Sequence, residues 1–185
     1  MMTVYKAFEK DLTCRGYQFS TDKVNITEEA NCVQNGFHAA ENPLDCLSYY
    51  SDMDNAVYWK CSASGDIDED GNDSKISCTE LTLIKELTVR EFVIESIKYM
   101  QAHPFREWSN KVSEERAEAD SHFAIARGKN PVAKGKVGTI LGFVKECENS
   151  SNILAAALLE IDGFQFKADT WYDIYGNIVE SEETK

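Results

Sequence analysis

Side chains alternate with period two at Val4, Lys6 and Phe8, and again at Arg15, Tyr17 and Phe19, and the polar segment between them can turn. Period two is the repeat of extended backbone, so the chain is expected to open on a β-hairpin whose exposed side carries Lys6, Lys10 and Arg15. Short strand pieces follow at 23–26 and 32–33, and Gly36 breaks the chain before Phe37-His38-Ala39-Ala40. Asn42-Pro43 is a helix cap followed by a first-turn proline, and it predicts a short helix through Leu44, Leu47, Tyr49 and Tyr50.

Strand formers at 56–63 (Val57, Tyr58, Trp59) and alternation at 75–87 (Ile76, Cys78, Leu81, Leu83) predict two longer strands around a polar turn at 65–73. Thr88 and Glu91 form a capping box ahead of Phe92, Val93, Ile94 and Ile97, so a helix is expected over 89–102. Pro104 suits the first turn of a second helix through Phe105, Trp108 and Val112, which fades into the charged stretch 113–120. Beyond it, glycines 128, 135, 138 and 142, the apolar run 139–145, the Asp162-Gly163 turn and a last hairpin around Gly176 predict a small β-module. The expected fold class is therefore α+β: an N-terminal β-rich lobe with hairpin and short helix over 1–87, a central helical segment over 88–120, and a C-terminal β-lobe over 121–185.

The formal net charge of −13 repels free polynucleotide, so unaided binding to DNA or RNA is expected to be weak, and a basic protein is the expected partner. Charge is segregated, however: residues 122–145 hold Arg127, Lys129, Lys134, Lys136 and Lys145 and no acid. That stretch is either a surface for RNA or phosphate or an internal counterpart of the acidic 113–120 segment. The six cysteines lack metal-ligand spacing and read as reduced thiols. Residues 66–71 match the first half of a calcium loop, but Ser77 stands where its bidentate glutamate would be, so neither a metal nor a cofactor is assigned. No apolar run approaches about 18 residues, and Met1 leads directly into a strand, so no membrane span and a cytoplasmic location are expected.

Tyr5-Lys6-Ala7-Phe8, then Lys10 through Gly16, then Gly36-Phe37-His38-Ala39 through Pro43-Leu44-Asp45 resemble a family of phage and mobile-element proteins of Gram-positive bacteria. Ala133-Lys134-Gly135, Gly138, Ile161-Asp162-Gly163 and Lys167 through Tyr172 resemble that family's terminal β-module. In other members short, small-residue repeats often separate the two modules, where this chain has 89–120. Within that group the chain is similar to the anti-CRISPR proteins of streptococcal phages that act on type II-A Cas9. One of these causes truncation of the Cas9-bound guide RNA and requires its N-terminal hairpin. The resemblance thus implies Cas9 with its guide RNA as partner, and a cationic hairpin presented to RNA.

Metal-free RNA cleavage needs a base, an acid and a cation for the charge developing on phosphate. His38 is the candidate base or acid, with Lys6 and Arg15 as phosphate-binding groups beside it. Tyr5 and Tyr17 are candidates to stack on bases, and Lys10, Arg127, Lys129, Lys134 and Lys136 are further RNA contacts. Three other functions fit the residues. An acidic module could block a basic nuclease surface without chemistry. An ADP-ribosyltransferase-like enzyme is suggested by strand 4–8 and by Gly36-Phe37-His38 leading to a tyrosine-ended helix, although position 6 is Lys where such enzymes usually offer Arg or His, and no clear Glu motif follows. A structural protein of the phage particle is the third.

Overall fold

A computed structural model of the chain describes residues 1–69, 71 and 74–180. It divides into two compact units, Met1–Thr88 and Val89–Lys185. The first contains β1 (Met2–Glu9), β2 (Thr13–Cys14), β3 (Tyr17–Gln18), β4 (Asn25–Ile26), β5 (Phe37–Ala40), a 3-10 helix (Pro43–Ser48), β6 (Ala56–Glu69) and β7 (Lys75–Glu86). Its main sheet runs β4-β7-β5-β1-β6, and β6 also pairs with β7, so the sheet closes into a barrel.

The expected hairpin between 4–8 and 15–19 does not form. β1 instead pairs along its whole length with β6, from Met2↔Ala63 to Glu9↔Ala56. Val4, Lys6 and Phe8 share a face with their partners Cys61, Trp59 and Val57, which belong to or pack on the core. The period-two pattern is real, but it records a strand inside a barrel and not an arm at its edge. The hairpin that does form near the start is β2–β3, two residues a side around Arg15-Gly16. Its Phe19 plugs into the core beside Phe8 and Phe37, with ring centroids 4.9 and 5.1 Å away.

Asn42 caps the 3-10 helix by accepting the Leu44 N–H, and Pro43 opens it. β6 bends at Gly65, where φ is 72° and the Thr79 hydroxyl occupies the space a side chain would need. A register shift between Ser64 and Ile67 accompanies the bend and lets the two long strands wrap. Residues 66–69 are thus the end of β6, paired to β7, and not the start of a calcium loop; Asp70, Asn72 and Asp73 of that motif lie outside the described residues.

The second unit contains α1 (Val89–Ala102), β8 (Val112–Ala119), β9 (Phe123–Gly135), β10 (Ile140–Cys147), β11 (Ser150–Glu160) and β12 (Tyr172–Asp173). α1 lays Phe92, Val93 and Ile97 on the sheet, where Gly142 leaves room: a side chain there would stand 3.1 Å from Val93 and Ile125. The expectation of a central helical segment fails beyond Ala102. Residues 112–119 form strand β8, parallel to β9 from Val112↔Ile125 to Ala119↔Gly135. The α+β expectation is corrected accordingly: the described residues are mostly strand, with one α-helix and one 3-10 helix, and the first unit is a closed β-barrel.

β8 to β10 wind as a coil. Residues 112–114 lie beside 125–127, which lie beside 142–144, all parallel, while 116–119 lie beside 132–135. Small side chains line much of the interior: Ala117, Ala119, Ala124, Ala126 and Ala133 share a core with Leu141, Phe143, Ile161, Tyr172 and Ile174. At one corner the Glu115 carboxylate accepts the N–H groups of Lys129 and Asn130, at 2.6 and 2.9 Å, and stands where a side chain on Gly128 would go. β11 returns antiparallel on β10, and β12 adds to β9.

Candidate functional site

β1 and β5 touch at one register pair, Tyr5↔Ala40, and then part. The gap is a cleft of about 800 Å³ within the first unit, a volume typical of small-ligand sites. Lys6, Ala7 and Glu9 of β1 form one wall and Phe37, His38 and Ala39 of β5 another; the β2–β3 hairpin adds Cys14, Arg15 and Tyr17, the 3-10 helix adds Asp45 and Cys46, and the loop leaving it adds Tyr49, Tyr50 and Asp52. Lys75 enters from β7, placed by its pairing with Ala40.

Lys6 is the group that sets the cleft's chemistry. It is 7% exposed, and its Nζ reaches across the gap to the His38 carbonyl at 2.7 Å, leaving two N–H donors. The rings of Phe8 and Phe19 lie near it, each 5.4 Å from Nζ to centroid. Among the described residues no carboxylate forms an ion pair with Lys6 or with Arg15. The thiols that feel the Lys6 charge do not neutralise it: burial pushes Cys46 up to about 12 and Cys78 up to about 11, and Cys61 is raised for the same reason. An ammonium taken out of water without a countercharge is costly, so this position favours an anion brought by a ligand.

His38 is occupied differently. Its Nε2 accepts the Val33 N–H at 2.9 Å, so the neutral ring carries its proton on Nδ1. Burial first, then the charges of Lys6, Arg15 and Lys75, hold its pKa below the ordinary histidine value. It is a neutral ring with its basic nitrogen engaged, and taking a proton there would cost the loop 28–36 its tie to His38 through the Val33 N–H. Tyr17 stacks edge-on against Phe19 and Phe37, at 4.7 and 4.9 Å, and keeps 40% exposure at the cleft. The Tyr50 hydroxyl donates to the Cys14 sulfur at 3.4 Å, and the Lys75 ammonium donates to the Tyr49 hydroxyl at 2.7 Å.

Of the residues singled out from the sequence, Lys6, Arg15, His38, Tyr5 and Tyr17 meet at this cleft, while Lys10 does not line it. The basic stretch of the second unit is engaged internally. Arg127 is 1% exposed, its Nε donating to Glu146 at 2.7 Å and one Nη to the Pro104 carbonyl at 2.6 Å, with the Trp108 ring 4.7 Å away. Lys134 pairs with Glu118 across β9 and β8, and Lys136 with Asp169. Lys129 has an exposed side chain at the Glu115 corner. Arg127 is therefore a core residue, not an RNA contact, and Lys134 meets the acidic 113–120 segment as one strand beside another. Lys75 and the Tyr49–Tyr50 pair were missed as site residues: Lys75 is 35 positions from Ala40 in sequence, and only the strand register brings it there.

Residues 2–95 match a family described as a domain of unknown function (DUF7666), more than half of the chain. The chain belongs to the DUF7666 family. The match covers the whole barrel and every residue lining the cleft, and it runs into α1, so the cleft is a feature of the DUF7666 region. Neither curated proteins nor solved structures give a match. No helix among the described residues is long and apolar enough to cross a membrane.

Proposed function

We propose that the DUF7666 barrel holds an RNA segment in the β1–β5 cleft, in the setting the family resemblance implies, where an acidic chain docks on Cas9 and leads to truncation of its guide RNA. The observation that carries this is Lys6, a buried cation at the cleft with no carboxylate partner among the described residues, next to Arg15 and to tyrosine faces suited to bases. The net charge of −13 supports delivery by a basic host over capture of free RNA. Because Nε2 of His38 already accepts the Val33 N–H, the protein's part is to grip and position the strand, and His38 is not its base.

A denaturing gel of guide RNA incubated with Cas9 tests this. Wild-type protein is expected to give shortened guide RNA, His38→Ala to retain the truncation, and the double substitution Lys6→Met/Arg15→Ala to leave the guide at full length. Full-length guide with wild type, but with Cas9 cleavage blocked, would instead identify a module that occludes a nuclease surface. Unchanged guide and unchanged Cas9 activity would end the proposal.

A second reading, an ADP-ribosyltransferase-like enzyme, is favoured by the parting of β1 and β5 with Tyr49 and Tyr50 at the same opening. Release of nicotinamide from NAD by the purified chain is its test.

A further inference from the structure

We infer that the β1–β5 cleft receives its ligand end-on and is built for a terminal phosphate monoester, the phosphorylated end of an RNA strand or a mononucleotide, with Lys6 at the closed end and Arg15 at the mouth. This rests on the cleft being the ligand site, as proposed above, and adds which part of the ligand enters it.

Along the β1–β5 seam the cleft is closed at one end. Tyr5 and Ala40 pair across the seam, and Lys6 is the first residue of β1 beyond that pair, where the strands begin to part. Its ammonium spans the gap to the His38 carbonyl, so a strand running lengthwise through the cleft would meet both a backbone bridge and this contact. A polynucleotide that reached Lys6 with an internal phosphodiester would need room to leave on the far side, where β1 and β5 are joined. A chain end needs no such exit.

The charge at that end also fits a monoester. Glu9, Asp45 and Asp52 also line the cleft, but none is ion-paired with Lys6, which offers two unused donors among the protonated thiols of Cys46, Cys61 and Cys78. A terminal phosphate carries close to two negative charges at neutral pH and three acceptor oxygens, whereas an internal diester carries one charge. Arg15, exposed on the β2–β3 turn and without a carboxylate partner among the described residues, lines the same cleft and adds a second positive charge at its mouth. Tyr17, beside it and half covered by Phe19 and Phe37, presents a ring on which the terminal base can lie.

The test uses the full chain without Cas9. Fluorescence anisotropy compares one short single-stranded oligoribonucleotide in three forms, with a 5′-phosphate, with a 3′-phosphate and with hydroxyl ends, and calorimetry adds AMP, adenosine and inorganic phosphate. A phosphorylated end is expected to bind about tenfold or more tightly than the hydroxyl form, AMP to bind where adenosine does not, and both preferences to disappear in Lys6→Met and survive in Lys6→Arg. Should Lys6→Met fail to fold, Arg15→Ala on the exposed turn and the AMP-against-adenosine comparison on wild type decide the matter, with loss of the preference and its presence respectively expected. Equal affinity for phosphorylated and hydroxyl-ended strands would overturn the end-on inference and leave the RNA reading in place. Binding of AMP that depends on Lys6, with no strand bound by the protein alone or in its Cas9 complex, would uphold the monoester site and overturn the RNA reading. Absence of any binding would overturn both.

Discussion

His38 shows how a residue chosen for its chemistry turns out to be held by its backbone neighbours. Its pKa is lowered from 6.5 by burial and by nearby cations, so between that value and its folded pKa the unfolded chain binds the proton and the folded one does not. Stability contributed by neutral His38 is thus complete above about 6.5 and falls as pH is lowered through the folded pKa. Urea midpoints measured from pH 5 to 8 are expected to decline below 6.5 in wild type and to stay flatter in His38→Ala, which at pH 7.5 loses about 1 kcal/mol with the Val33 hydrogen bond. Asp11, Asp162 and Asp173 also have lowered pKa values, but from 3.8, so they act in a more acidic window. Arg127 is the opposite surprise: a cation in a basic, glycine-bearing stretch that is nonetheless in the core. Arg127→Ala is expected to cost about 3–5 kcal/mol in a denaturant titration, because it leaves Glu146 without its partner, and Arg127→Met/Glu146→Leu to recover most of that.

At the scale of elements, charge and helix propensity pulled one way in residues 113–120 and pairing pulled the other. Glu and Ala favour helix in isolation, yet Ala117 and Ala119 alternate into the interior of the coil, and Glu118 finds Lys134 on the adjacent strand. The corner that makes β8 and β9 turn together depends on Glu115 filling the space over Gly128. Gly128→Ala would put a methyl group within 2.4 Å of the Glu115 carboxylate, so the acid must leave the Lys129 and Asn130 N–H groups. The expected loss is about 1–3 kcal/mol, read as a lower melting temperature, and a double-mutant cycle with Glu115→Ala should be strongly non-additive because both changes remove the same contact.

For the molecule as a whole, the division at Thr88 and the closure of the barrel within 1–88 make a specific claim. A fragment of residues 1–88 contains every pairing of that barrel and every residue lining the cleft. It is expected to unfold in one cooperative transition and to keep the phosphate preference of the full chain. A fragment lacking a sharp transition would show that the barrel depends on residues beyond 88.

Local signals carried much of this fold: the Asn42-Pro43 cap, the start of α1 and the two long strands were legible because each is written in neighbouring residues. Lys6, Arg15, His38, Tyr5 and Tyr17 could be nominated as site residues for the same reason, since they crowd into one short stretch. Three things lay beyond such signals. Which partner β1 takes, where β1 and β5 part, and whether 112–119 is helix or strand are all settled by residues dozens of positions away, through register and burial. A lysine among alternating apolar residues looks the same on an exposed hairpin and inside a barrel. Only the closing of the sheet removes it from water, and that removal is what gives Lys6 its claim on an anion.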